Sequence, residues 1–268
     1  MNLTAGQWAF LAVGALFVGL AKTGVPGLGV LTVALFANAL PARESTGALL
    51  PLLLCADVIG VAIFRKHASW PHLMKLMPWV LVGVMAGYFA LGKFNNSQVQ
   101  RMISVILLGM TALHLWRQRT ESREKNKAAS PPTPLKGDQS QAIQSAPEGL
   151  PHSWWFVAFT GIMAGFTTMV ANAAGPVMVL YLLAVQLPKF AFVGTWAWFF
   201  LLVNVSKMPL SLHLGLIHLD SLKLDALLLI ALLPGALLGP VIVKHINQRV
   251  FERLALALTV VAALRLLF

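Results

Sequence analysis

The sequence predicts an all-α polytopic membrane protein made of two inverted-topology repeats, with broken or re-entrant helices meeting near mid-membrane. Three observations carry this. Hydrophobic residues make up 58% of the 268 residues and charged residues only 11%, where a soluble domain carries about 25% charge. Apolar stretches near membrane-spanning length recur from end to end. Two of them are interrupted by Gly, Pro and polar residues at corresponding places, Leu20–Val30 (LAKTGVPGLGV) and Thr167–Pro176 (TTMVANAAGP), a pattern of helices broken at a mid-membrane site.

Taken in order, the first repeat (1–116) holds five apolar segments: Leu3–Ala21, Leu28–Leu40, Ala48–Phe64, Met77–Leu91 and Met102–Trp116. The opening MNLTAGQ lacks the basic stretch of a cleaved signal peptide, so the first segment is expected to be retained in the membrane. A span needs about 20 residues. The second segment is too short, and is expected either to form a re-entrant hairpin with its predecessor or to be part of a tilted, broken helix. Residues 117–153 are charged and rich in Pro, Ser and Gln, with SPPTP at Ser130–Pro134, the composition of a flexible linker that cannot offset its ordering entropy. The second repeat (154–268) holds Trp154–Phe166, Val177–Leu187, Thr195–Leu212, Ala226–Val243 and Leu254–Phe268, again with a short second member.

The halves align with each other. Gly19 pairs with Gly165 and Gly29 with Gly175 at one spacing. Pro41 with Pro188, Gly47 with Gly194 and Asp57 with Asn204 follow after a one-residue slip, and Gly83 with Gly235, Gly87 with Gly239 and Arg101 with Arg253 after a further short insertion. Shared offsets of this kind mark an internal repeat. The linker carries Arg117, Arg119, Arg123, Lys125, Lys127 and Lys136, which the positive-inside rule places in the cytoplasm. The gap with Arg65, Lys66 and Lys75 then falls on the same side, while in the second half the basic bias moves to Lys244, Arg249 and Arg253. The halves are therefore expected to be inverted, with both termini outside, whether the short segments span or re-enter.

A helix that starts inside the bilayer leaves about four backbone N–H groups unpaired and puts the positive end of its dipole there, which suits an anion. The new helices are expected to start near Gly27–Val30 and Ala174–Val177, with Pro26 and Pro176 at their first positions. Candidate substrate-binding residues around these ends are Lys22, Thr23, Gly24, Gly27 and Gly29, then Thr167, Thr168 and Asn172. Close helix packing is the competing use of such glycines. A nucleotide-binding loop is excluded, because no Gly-Lys-Ser/Thr follows and no strand precedes.

Ionisable groups inside spans are costly and usually functional. Asp57 lies in the middle of the third segment; its repeat partner is Asn204, and Lys207 shares a helical face with Asn204. The expected roles are Lys207 neutralising the substrate, Asn204 donating hydrogen bonds, and Asp57 balancing charge or carrying a coupling proton. The alternatives are that Asp57 pairs with a lysine inside the bundle, or that Lys207 snorkels from a helix end. Arg43 and Glu44 read as exposed loop charges at a segment boundary. His67, His72, His213 and His218 fall in or near polar gaps without metal-ligand spacing, so neither a metal nor a cofactor is expected. Cys55 reads as a small buried hydrophobe. The tryptophans gather toward segment ends as an aromatic belt, except Trp196 and Trp198, which either line the path or pack. The net charge of +11 lies mainly in short gaps between spans, so nucleic acid is not an expected partner. An enzyme is not expected either, for want of paired carboxylates or a His-Glu motif.

GLAKTGVPGLGVL, LLLCADVIGVAIFRKHASWPHL, GFTTMVANAAGPVMVLYLL and VNVSKMPLSLHLGLI resemble the TauE/SafE (sulfite exporter, TSUP) family. The resemblance covers nearly all of both halves and omits the linker. Many members carry a longer glycine run where this chain reads Lys22-Thr23-Gly24-Val25-Pro26-Gly27. The resemblance implies a secondary transporter of sulfur oxyanions or organosulfonates, such as sulfite or sulfoacetate, in a bacterial inner membrane. The residues alone imply a small anionic substrate moved by alternating access; an anion channel and a membrane accessory protein are the other readings. The expected partners are that anion and the lipid bilayer, with self-association into a homodimer left open.

Overall fold

The computed structural model describes residues 3–26, 28–40, 42–90 and 154–267. The segment at 102–116, the linker and Gly27 lie outside the described residues. Among the described residues the regular structure is wholly helical: α1 (Ala5–Thr23), α2 (Gly29–Ala39), α3 (Ala42–Phe64), a 3₁₀ turn (Arg65–His67), α4 (Trp70–Ala90), α5 (Trp154–Ala171), α6 (Ala174–Ala184), α7 (Lys189–His213), α8 (Leu219–His245) and α9 (Gln248–Leu267). Six of them, α1, α3, α4, α5, α7 and α8, contain stretches long and apolar enough to cross a membrane. The chain is a multi-pass membrane protein.

Several helices outrun their hydrophobic stretches. α3 begins at Ala42 rather than Ala48, α4 at Trp70 rather than Met77, α7 at Lys189 rather than Thr195, and α8 at Leu219 rather than Ala226. Backbone hydrogen bonding continues through the polar residues of these turns, which hydropathy alone discards. For the same reason the second interruption is narrower than expected. Only Asn172 and Ala173 separate α5 from α6, so Thr167 and Thr168 are helical. The prolines differ too. Pro26 lies ahead of the N-cap Leu28 and outside α2, whereas Pro176 sits in the first turn of α6, where a missing N–H is harmless.

The short segments fold back on the helices that precede them. α2 and α6 have 11 residues each, about 16 Å of helix against a hydrocarbon core of about 30 Å. α1 opens with a capping box between Thr4 and Gln7, and the Gln7 Nε2 donates to the Ala39 carbonyl at 2.9 Å. The end of α2 is thereby tied to the start of α1, as in an antiparallel hairpin. In the second half, Phe156 near the start of α5 stacks on Tyr181 near the end of α6, with centroids 6.1 Å apart. That pair makes the same antiparallel hairpin.

Close helix packing is reciprocal between the halves. Gly19 of α1 faces α8 so tightly that a Cβ would lie 2.4 Å from the Leu232 carbonyl oxygen, and Gly235 of α8 faces Leu16 at 2.1 Å in the same sense. The glycines that the sequence pairs with them make equivalent contacts, Gly165 of α5 against Val80 and Gly83 of α4 against Ile162. α1 thus packs on α8, and α4 on α5, through small residues that let backbones approach. Buried apolar side chains follow the same division. One cluster joins α1, α2, α3 and α8, and another is centred on α4 to α7 and α9. α3 and α7 pack against each other between the clusters.

Candidate functional site

The two hairpin breaks face one cavity of about 30 Å³, enough for more than one water-sized group. Gly29 at the start of α2 and Gly175 at the start of α6 both line it, with Val18 and Lys22 of α1, Thr168 and Asn172 of α5 and the break, and Trp196, Phe200 and Asn204 of α7. Neither N-cap residue, Leu28 or Ala173, caps its helix with a side chain. The first-turn N–H groups, which lack intrahelical partners by construction, therefore have no side-chain acceptor from the cap. Asn172 sustains the second break with φ of 51°, a left-handed conformation that Asn tolerates better than most residues.

A buried ion pair stands behind the cavity. Lys22 is 4% exposed and Asp57 fully buried, with Nζ 2.9 Å from Asp57 Oδ1. Among the described residues neither atom has a hydrogen-bond partner beyond this ion pair. The same Nζ lies 3.6 Å from the centroid of the Phe200 ring, a cation–π contact. Asp57 Oδ2 accepts from Asn204 Nδ2 at 2.6 Å. That bond fixes the amide so that Asn204 Oδ1, buried and without a partner, points elsewhere.

Lys207 is engaged differently. Its Nζ donates to the Thr168 carbonyl at 3.0 Å, to Thr168 Oγ1 at 3.2 Å and to Asn172 Oδ1, which uses all three ammonium hydrogens. Asn172 Nδ2 in turn donates to the Thr46 carbonyl at 3.2 Å. Lys207 is therefore a strut between α7 and the second break, and at 2% exposure it does not snorkel. The other alternative, pairing of Asp57 with a lysine inside the bundle, is present, with Lys22 as the lysine.

The structure brings Lys22, Gly29, Thr168, Asn172 and Asn204 to the cavity wall, with Asp57 and Lys207 directly behind. It does not bring Thr23, Gly24 or Thr167 there. Thr23 Oγ1 donates to the Gly19 carbonyl at 2.9 Å and abuts Gly239, while Gly24 packs on the Gly239 backbone; both belong to the α1–α8 seam. Thr167 Oγ1 donates to the Met163 carbonyl at 2.8 Å, back along its own helix. Gly27 lies outside the described residues. Cys55, expected to be buried, is exposed, because its face of α3 turns outward while Ala56 and Asp57 turn in.

Sequence reasoning missed Thr32, which lines the cavity one turn into α2 and could have been found by its spacing from Gly29. It also left Trp196 undecided. Trp196 lines the cavity, 3% exposed, and its indole N–H has no acceptor among the described residues; Trp198 instead packs on Trp70 with centroids 5.0 Å apart. The assembled site offers unpaired or uncapped donors around a cavity, and among its charged groups two lysines face one carboxylate.

The comparisons agree with a membrane-transport reading. The profile of the family described as sulfite exporter TauE/SafE matches residues 11–266. Neither the curated proteins nor the solved structures gave a match. With nearly its whole length covered by that profile, the chain belongs to the sulfite exporter TauE/SafE family.

Proposed function

We propose that the protein is a secondary transporter that moves a small anion, a sulfur oxyanion or organosulfonate, across the bacterial inner membrane by alternating access. The observation that carries the reading is the cavity onto which two uncapped half-helices open beside a buried lysine. Helix N-termini and an ammonium group stabilise negative charge without covalent chemistry, and a dry site makes each of them stronger. The Lys22–Asp57 pair keeps the lysine compensated while the site is empty. An arriving anion shares that charge, with Asn204, Trp196 and Thr168 supplying hydrogen bonds.

The reciprocal packing of α1 on α8 and α4 on α5 supports two related halves, and the basic residues of the linker support a cytoplasmic linker with both termini outside. Export of a monoanion is favoured by an inside-negative potential at about 2.3 kcal/mol per charge per 100 mV. Thermal unfolding of the purified protein with sulfite, thiosulfate, a sulfonate, phosphate or a carboxylate tests the substrate class. A sulfur anion should raise the midpoint by several degrees in wild type and not in Lys22→Met. Stabilisation by carboxylates or phosphate alone would overturn the assignment. Flux into liposomes that saturates with anion concentration separates a transporter from a channel.

A further inference from the structure

A second carboxyl group is buried away from the cavity, in the seam between α3 and α8. Asp225, in the second turn of α8, is 5% exposed, and neither of its oxygens has a hydrogen-bond partner among the described residues. Its neighbours Leu224 and Leu228 belong to the apolar cluster that includes Leu49, Leu52 and Ala56 of α3. Asp220 and Lys223 on the same helix pair with each other in the open at 3.6 Å. Among the described side chains of α1 and α3, the helices that pack most on α8, the titratable groups are Lys22, Cys55 and Asp57. Lys22 and Asp57 hold each other, and Cys55, the one within electrostatic reach of Asp225, supplies no cation.

We propose that Asp225 is a proton-binding site that couples movement of the anion to a transmembrane proton gradient. This rests on the transport reading above. A buried carboxylate with no donor, beside an apolar cluster, is costly by several kcal/mol, whereas a neutral carboxylic acid at the same place is far less so. The closed seam therefore holds a proton on Asp225, and the proton leaves only when the seam admits water. Asp57 has no such need, because Lys22 and Asn204 already compensate it.

The seam also stands where coupling requires it. α8 is locked to α1 by the Gly19 and Gly235 contacts, and α1 carries Lys22, while α3 carries Asp57. Any parting of α8 from α3 thus separates the two helices whose lysine and aspartate pair behind the cavity. Gain and loss of one proton at Asp225 and rearrangement of the anion site become parts of one movement.

Asp225→Asn, which mimics the protonated state permanently, is the test, with sulfoacetate as the probe anion in proteoliposomes. One coupled proton across a gradient of about one pH unit drives about tenfold accumulation. Wild type should show this and the variant should lose it, while anion exchange at equal pH on both sides stays within about twofold (under 0.5 kcal/mol in barrier). Asp225→Glu, which keeps a carboxyl, should retain the response. Asp225→Asn protein that still accumulates anion along the pH gradient would overturn the proposal. Absence of sulfoacetate exchange by wild type would count instead against the transport reading. Infrared spectra of the purified protein provide a readout independent of substrate. The C=O stretch of a protonated carboxyl should be present in wild type at neutral pH and missing from Asp225→Asn, and identical spectra would equally reject the proposal.

Discussion

At the first break the cation sits on the hairpin and the acid on the helix behind it; at the second, the cation sits on the helix behind and the acceptors on the hairpin. Lys22 of α1 reaches Asp57 of α3, and Lys207 of α7 reaches Thr168 and Asn172. The correspondence runs residue by residue. Lys22 and Thr168 stand at the spacing of Gly19 and Gly165, and Gly60 and Lys207 at that of Asp57 and Asn204. Where Lys207 donates to the Thr168 carbonyl, its counterpart Gly60 merely approaches the Lys22 carbonyl. The paired positions Asp57 and Asn204 then hydrogen-bond to each other across the middle. One framework has been given opposite chemistry at its two ends, one adjustable and one fully bonded.

Removing the acid should have the largest effect. Asp57→Leu leaves Lys22 as an uncompensated buried cation, at a cost of about 3–5 kcal/mol, which unfolding in detergent would register as a marked fall in the midpoint. The double variant Lys22→Met/Asp57→Leu should regain most of that stability, since an apolar pair often replaces a buried ion pair at little cost, yet bind no anion. Recovery of binding along with stability would show that Lys22 is structural. Lys207→Met should cost less, about 1–3 kcal/mol for the acceptors left unsatisfied at Thr168 and Asn172, and should weaken anion affinity less than Lys22→Met does. An equal or greater loss of affinity would reverse the roles assigned to the two lysines. The smallest effect belongs to Gly29→Ala. Nothing lies within 4 Å of the added Cβ, so stability should change by no more than about 0.5 kcal/mol, and a change in anion affinity would report the cavity wall directly.

Hydropathy and the glycine spacing made the helices, the two breaks and their convergence legible, because length and apolarity decide what can cross a bilayer. Helix ends were not legible, since the turns at Ala42, Lys189 and Leu219 are held by backbone bonds that side-chain polarity does not record. The same limit hid Asp225, which falls one residue outside the apolar run Ala226–Val243 yet lies inside α8. Lys22, Asn204 and Lys207 stood out as buried polar groups, but which of them faces open space is a matter of helical phase and neighbouring bonds. Thr23 and Thr167 show the cost of that gap. A threonine on a membrane helix can satisfy its hydroxyl on the preceding turn, and both do so.

The modest length of α2 and α6, 11 residues each, bears on how the chain enters the bilayer during synthesis. A segment so short is a poor candidate for independent insertion, since it cannot bridge the hydrocarbon from one interface to the other. Each must be carried in by the longer helix that precedes it, and for α2 the Gln7 clasp on Ala39 is the latch that keeps passenger and carrier together. Insertion by folded pairs rather than by single helices is the expected consequence, and loosening the clasp by Gln7→Ala should be felt first as poor yield in the membrane.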